Sequence, residues 1–192
     1  MTVVDEKKAA REAAILVRDR THAILHDTAP AGVAANFAKS VRLAEGTIVS
    51  GYWPGRSELD IRPLMEALHA RGHAIALPIV MGRGQPLVFR AWRPGMALEE
   101  KKFGLREPGA DAAMLTPRAL LVPFLAFDEE GYRIGYGAGY YDMTLAELRS
   151  RLRVLAIGVG YSAQRVDRLP RDGHDQRLDW VVTEAGAVQF GD

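Results

Sequence analysis

Arg133-Ile-Gly-Tyr-Gly-Ala-Gly-Tyr-Tyr-Asp142 lies between an apolar run, Ala119–Phe127, and a segment whose leucines recur at helical spacing. Leu145, Leu148 and Leu152 share one face of that predicted helix, about 142–152, and a second apolar run, Val154–Val159, follows it. Strand, loop, helix and strand in this order build a parallel or mixed sheet, whose strands are apolar throughout because helices cover both faces. Glycine loses more conformational entropy on folding than any other residue, so Gly135, Gly137 and Gly139 together require a reason. A backbone that must come close to a ligand supplies one, and amide N–H groups beside a helix start make a seat for phosphate.

Outward from this loop the alternation continues. Residues 5–26 are rich in Ala, Lys, Glu and Arg, without Gly or Pro, and read as a helix. Its apolar stripe (Leu16, Val17, Ile24) is thin, which places it on the surface with one side against the body. Residues 46–52 read as a strand. Ser57 and Asp60 have capping-box spacing before a helix carrying Ile61, Leu64, Met65 and Leu68, and Gly72 marks its stop. Ala74–Val80, Leu120–Pro123 and Trp180–Thr183 read as buried strands, and Leu87–Trp92 alternates like a sheet edge. From 93 to 117 the chain is Pro- and Gly-containing and charged, a long loop of the kind that usually serves function. The expectation is one three-layer α/β/α domain over residues 1–192 with a mostly parallel sheet.

Composition narrows the chemistry. The 192 residues are 48% hydrophobic, enough for a substantial core. Twenty-five Lys+Arg against 24 Asp+Glu leave a formal charge of +1, which speaks against nucleic-acid binding. There is no cysteine, so disulfides, thiol nucleophiles and cysteine-bound zinc are excluded. No apolar run reaches the roughly 20 residues of a membrane-spanning helix. A cytoplasmic protein without membrane partners is expected.

The loop matches neither the dinucleotide fingerprint nor the P-loop, since its glycines are spaced G-x-G-x-G and no lysine follows. Its neighbours carry the functional reading. Asp142 at a helix start either caps the helix or offers a carboxylate to a metal ion; magnesium on phosphates needs only one or two such groups. Asp175, in the loop between the last two predicted strands, is the second acid. Adjacent Tyr140 and Tyr141 cannot both point inward from a strand, so one faces a cleft. Phe103, in a polar loop, either plugs the core or stacks on a ligand. Lys7 and Arg11, one helical turn apart, lie on a solvated face or meet an anion.

These segments resemble the 5-formyltetrahydrofolate cyclo-ligases, also called 5,10-methenyltetrahydrofolate synthetases. The resemblance runs through Lys7-x-x-x-Arg11, Tyr52 with Glu58, Leu77-Pro78, Phe103-Gly-Leu-x-Glu-Pro108 and the long segment from Val122 to Asp142. It continues in Gly158-x-x-Tyr161-x-x-Gln164, Leu169-Pro170 and His174-Asp175. The long segment is the most specific. Ala138 and Met143 depart from the family pattern, which has glycine or lysine and arginine there.

The resemblance implies ATP- and magnesium-dependent closure of 5-formyltetrahydrofolate to 5,10-methenyltetrahydrofolate, on a scaffold similar to sugar-phosphate isomerases and coenzyme A transferases. It implies nucleotide contacts from Lys7, Arg11, Arg133, Ile134, Gly135, Tyr136, Gly137, Ala138, Gly139, Tyr140 and Tyr141. The folate pocket would be lined by Trp53, Glu58, Phe103, Tyr140 and Tyr141. Asp142 and Asp175 would hold magnesium, and Arg133 and Asp142 would act in catalysis. Reduced folate and ATP are then the partners of a monomer or weak homo-oligomer. Two alternatives stand beside this: an ATP-dependent ligase for another formamide or amide, and a non-catalytic module that senses a phosphate ligand.

Overall fold

The computed structural model describes residues 2–101 and 106–191. Four α-helices are present among them, α1 Val3–Leu25, α2 Ala29–Ser40, α3 Arg62–Ala70 and α4 Tyr140–Arg149, with one short 3-10 helix at Ser162–Gln164. Seven strands form the main sheet: β1 Val49–Ser50, β2 Ile75–Ile79, β3 Val88–Trp92, β6 Ala119–Val122, β9 Leu155–Val159, β10 Trp180–Thr183 and β11 Gly186–Gln189. Their order is β11-β10-β9-β6-β1-β2-β3. The five central strands run parallel, and the two edges, β3 and β11, are antiparallel. Two small hairpins complete the fold, β4 (Leu98–Glu100) with β5 (Arg106–Pro108) and β7 (Ala126–Phe127) with β8 (Arg133–Ile134).

Successive side chains of a strand point to opposite faces, and here both faces are apolar. Ala119 and Leu121 join Val33 and Phe37 of α2 and Leu64, Met65 and Leu68 of α3 on one side. Leu120 and Val122 join Leu145 and Leu148 of α4 on the other. Each fully buried leucine contributes about 1.5–3 kcal/mol relative to exposure. This is the expected mostly parallel α/β sheet.

Several local readings change. Only Val49–Ser50 of the predicted strand 46–52 pairs. Part of the 93–117 loop is the β4–β5 hairpin. Ser57 does not cap α3, which starts after Ile61; its hydroxyl turns inward to Arg18 and Asp19. The apolar stripe of α1 faces solvent, with Leu16 58% and Ile24 78% exposed. The side against the body carries Ala14 and Arg18 instead. Helix α2 has no clear stop-and-start signature, since Pro30 sits in its first turn and Gly32 within it. Proline is tolerated there because that N–H has no helical partner, and Gly32 lets α2 approach Glu184, which a Cβ would meet at 3.3 Å.

The chain steps from β1 to β2 on one side and returns to β6 on the other, so the strand order reverses between β1 and β6. Ligands of open α/β sheets bind beyond the carboxyl ends of strands at such a point. The site lies there.

Candidate functional site

A cleft of about 880 Å³ opens beyond the ends of β1, β2 and β6. Tyr52, Trp53 and Glu58 follow β1, Pro78 and Val80 end β2, and Pro123 and Phe124 follow β6; all line it. Helix α1 crosses the mouth and supplies Lys7 and Arg11, so their face is not simply solvated. The glycine loop and the first turn of α4 form another wall, residues 133–143, and the 172–175 loop closes one end. The sequence-predicted residues outside Phe103 therefore meet in one cavity. Phe103 lies outside the described residues.

The loop has the backbone its composition requires. Gly137 has φ +99° and Gly139 has φ +70°, values that side-chain-bearing residues rarely adopt. Gly139 is the N-cap of α4. Among the described residues no hydrogen bond takes the N–H of Gly137, Ala138 or Gly139. The free donors and the positive end of α4 together form an anion seat. Arg11 Nε donates to the Gly135 carbonyl at 3.0 Å, holding its guanidinium against the loop. A Cβ on Gly137 would stand 3.2 Å from Arg11 Cζ. Tyr140 and Tyr141 belong to the helix start rather than to a strand, and both line the cleft.

Charges at this end are paired. Lys7 Nζ donates to Asp175 Oδ2 at 2.6 Å and to Asp172 Oδ2 at 2.8 Å. Burial disfavours the Lys7 ammonium, but the two carboxylates outweigh it and hold its pKa above the ordinary lysine value. Arg133, only 4% exposed in its side chain, donates to Asp142 Oδ1 at 2.9 Å and to the Gln176 carbonyl at 2.6 Å. The Gln176 N–H donates to the same Asp142 oxygen, bringing the 172–176 loop to α4. Asp172 and Arg106 also line the cleft. Asp172's position three residues before Asp175 was the available signal for it; Arg106 had none.

No group of three His, Cys, Asp or Glu side chains able to cage a metal occurs among the described residues. Magnesium asks for less, taking one or two carboxylates beside waters and phosphate oxygens. Asp142 Oδ2 and Asp175 Oδ1 accept no hydrogen bond among the described residues. Two unpartnered carboxylate oxygens lining one cleft fit the modest demands of that ion.

The cleft is also lined by Tyr52, Trp53, Tyr140 and Tyr141 and by two glutamates, Glu58 and Glu107. Glu58 Oε2 accepts from the Gly55 N–H at 2.9 Å. Burial pushes its carboxyl above the ordinary glutamate value, against that N–H and the charges of Arg18 and Arg56. Burial likewise raises the phenols of Tyr52 and Tyr141, so both remain protonated. Trp53 packs edge-on against Trp92 at 6.2 Å, which fixes it as a wall. A flat ring with N–H donors suits Glu58 and these aromatic walls.

No helix among the described residues is long and apolar enough to cross a membrane. Known proteins resemble this chain over most of its length. The 5-formyltetrahydrofolate cyclo-ligase of Escherichia coli strain K12 is 33% identical over 132 residues, 66% of this chain and 71% of its own length. That of Mycolicibacterium smegmatis is 34% identical over 146 residues, 72% and 74% of the two chains. The 5,10-methenyltetrahydrofolate synthetase structure from Aquifex aeolicus superposes with a TM-score of 0.75 at 29% identity, covering 100% of this chain and 94% of that one. The Mycoplasma pneumoniae synthetase, at 21% identity, TM-score 0.73 and coverage of 93% and 99%, shares the fold. The 5-formyltetrahydrofolate cyclo-ligase family profile matches residues 4–184, and the chain belongs to that family of ligase enzymes.

Proposed function

We propose that this enzyme converts 5-formyltetrahydrofolate to 5,10-methenyltetrahydrofolate with ATP and magnesium, releasing ADP and phosphate. One observation carries the reading. The amides of Gly137, Ala138 and Gly139, which take part in no hydrogen bond among the described residues, line the same cleft as Lys7, Arg11, Glu58 and the aromatic side chains of Tyr52, Trp53, Tyr140 and Tyr141.

The chemistry explains why both sets of groups are needed. A formamide carbonyl is a poor electrophile and its oxygen a poor leaving group. Attack of that oxygen on the γ-phosphorus releases ADP and gives an imidate phosphate. Nitrogen 10 then adds to the formyl carbon and gives up its proton, and the carbon–oxygen bond to phosphate breaks, which leaves the closed methenyl ring as an amidinium cation. The protein's task is alignment and charge neutralisation. Lys7 and Arg11 neutralise phosphate oxygens while the loop amides hold them. Arg133 orients Asp142 and sets a positive charge beside the transferring group. Asp142 and Asp175 would hold magnesium, which supplies further neutralisation of the triphosphate. Glu58 orients the pterin through its N–H donors, and Tyr140, Tyr141 and Trp53 flank the ring. At about 880 Å³ the cleft is near the top of the ~300–1,000 Å³ usual for a ligand pocket, as a two-substrate site requires.

The test is direct. Purified protein with ATP, magnesium and 5-formyltetrahydrofolate should develop the methenyl chromophore with one ADP per turnover. ADP release only with a different formamide, and no chromophore, would move the assignment to a ligase of other specificity.

A further inference from the structure

We propose that Arg18 is a positioning residue that couples the phosphate loop to the Glu58 turn, so that each substrate tightens the binding of the other. The inference rests on the two-substrate reading of the cleft. Arg18 lies two helical turns beyond Arg11 on α1 and is 2% exposed. Its Nε donates to Ser57 Oγ at 3.1 Å, and its Nη2 donates to the Tyr136 hydroxyl. Ser57 in turn donates to Asp19, and the next residue is Glu58. One rigid guanidinium thus ties the side chain of Tyr136, inside the glycine loop, to the turn that presents the pterin acid.

A purely structural role explains this poorly. A buried charge carries a desolvation cost that an apolar side chain of similar volume avoids. Arg18 Nη1 is buried with no hydrogen-bond partner among the described residues, so the group is held at incomplete satisfaction. Its position therefore depends on where its two bonded loops sit. The Arg18 guanidinium also lies 5.2 Å from the centre of the Tyr136 ring, and Tyr136 is 49% exposed at the cleft. When phosphate orders the loop around Tyr136, the guanidinium is drawn to one place, and Ser57 and Glu58 with it. By reciprocity, pterin seated on Glu58 orders the phosphate loop.

Calorimetry with a non-hydrolysable ATP analogue and magnesium, with and without 5-formyltetrahydrofolate, measures the coupling. The wild type should bind the analogue about 5- to 150-fold tighter when folate is present. Arg18→Met and Tyr136→Phe should bring that ratio close to one. Arg18→Lys, which keeps the charge but loses the planar fork, should not restore it. Tyr136→Phe removes one hydroxyl at a half-exposed site, so it decides the matter if Arg18→Met does not fold. A ratio unchanged from wild type in Tyr136→Phe, or a wild-type ratio of one with both ligands bound, overturns the coupling alone. Failure of the wild type to bind either ligand overturns the functional reading and this inference with it.

Discussion

Lys7 Nζ stands 2.6 Å from Asp175 Oδ2, so the cation assigned to phosphate and the acid assigned to the metal are each other's partners in the free enzyme. Arg133 and Asp142 repeat the arrangement at 2.9 Å. Triphosphate alone would bring negative charge to carboxylates whose cations it must take. Triphosphate carrying its metal lets each group exchange one opposite charge for another. ATP affinity should therefore fall sharply when magnesium is chelated, a difference that titration with and without EDTA would show.

Lys7→Met tests the cation itself. Hydrogen bonds to charged groups are worth about 1.5–3 kcal/mol, so KM for ATP should rise roughly 10- to 150-fold. The KM for folate should change much less. Steady-state kinetics with each substrate varied separately would check this, and equal losses would contradict the placement of Lys7.

Gly137→Val places a β-branched residue at φ +99° and a Cβ 3.2 Å from Arg11 Cζ. Such backbone strain costs about 1–3 kcal/mol, and the loop relieves it by leaving the conformation that aims its amides inward. ATP binding should be lost while the circular dichroism spectrum stays native. An unchanged ATP affinity by calorimetry would show that phosphate sits elsewhere.

Asp142→Asn keeps an acceptor for Arg133 and the Gln176 N–H but removes the charge. Outer partners of metal ligands alone are worth roughly 10- to 100-fold in metal affinity, so a ligand should cost at least that. The magnesium concentration for half-maximal rate should rise accordingly. Asp142→Ala should also lower Tm, because it strands the nearly buried Arg133. A wild-type magnesium titration for Asp142→Asn would remove that residue from the metal site.

Glu58 carries opposite signs for function and stability. Its pKa is raised in the folded protein, chiefly by burial. The folded state therefore favours the protonated form, and stability is lost as pH rises through that pKa. Glu58→Gln should raise Tm at neutral pH, and the gain should vanish toward acidic pH. The same change should weaken folate binding roughly tenfold or more at neutral pH. In the wild type, folate affinity should decline on acidification as the carboxylate is protonated. Melting curves and folate titrations across pH would show both trends.

The glycine loop, the five parallel strands and α4 were legible because each rests on local pattern: apolar runs, helical spacing and glycine density. Lys7 and Arg11 fitted a solvated face as well as an anion, and only the packing of α1 puts them on the cleft. Arg18 was not legible, since a charged residue on a charged helix reads as solvated, and only packing reveals that α1 turns this face inward. Leu16 and Ile24 misled for the converse reason: they look like a core stripe yet face solvent. Ser57 looked like a cap because its spacing was right, but the turn before α3 points it at Arg18.

The amino-acid sequence by itself determined the layered α/β architecture and the left-handed turns of the glycine loop, because backbone freedom at Gly137 and Gly139 and apolar strand periodicity act within a few residues. Tertiary structure alone decided which charges meet. Lys7 with Asp175, Arg133 with Asp142, and Arg18 with Tyr136 join segments far apart in the chain. Such pairs form only when the reversal of strand order between β1 and β6 gathers α1, the glycine loop and the 172–176 loop around one opening.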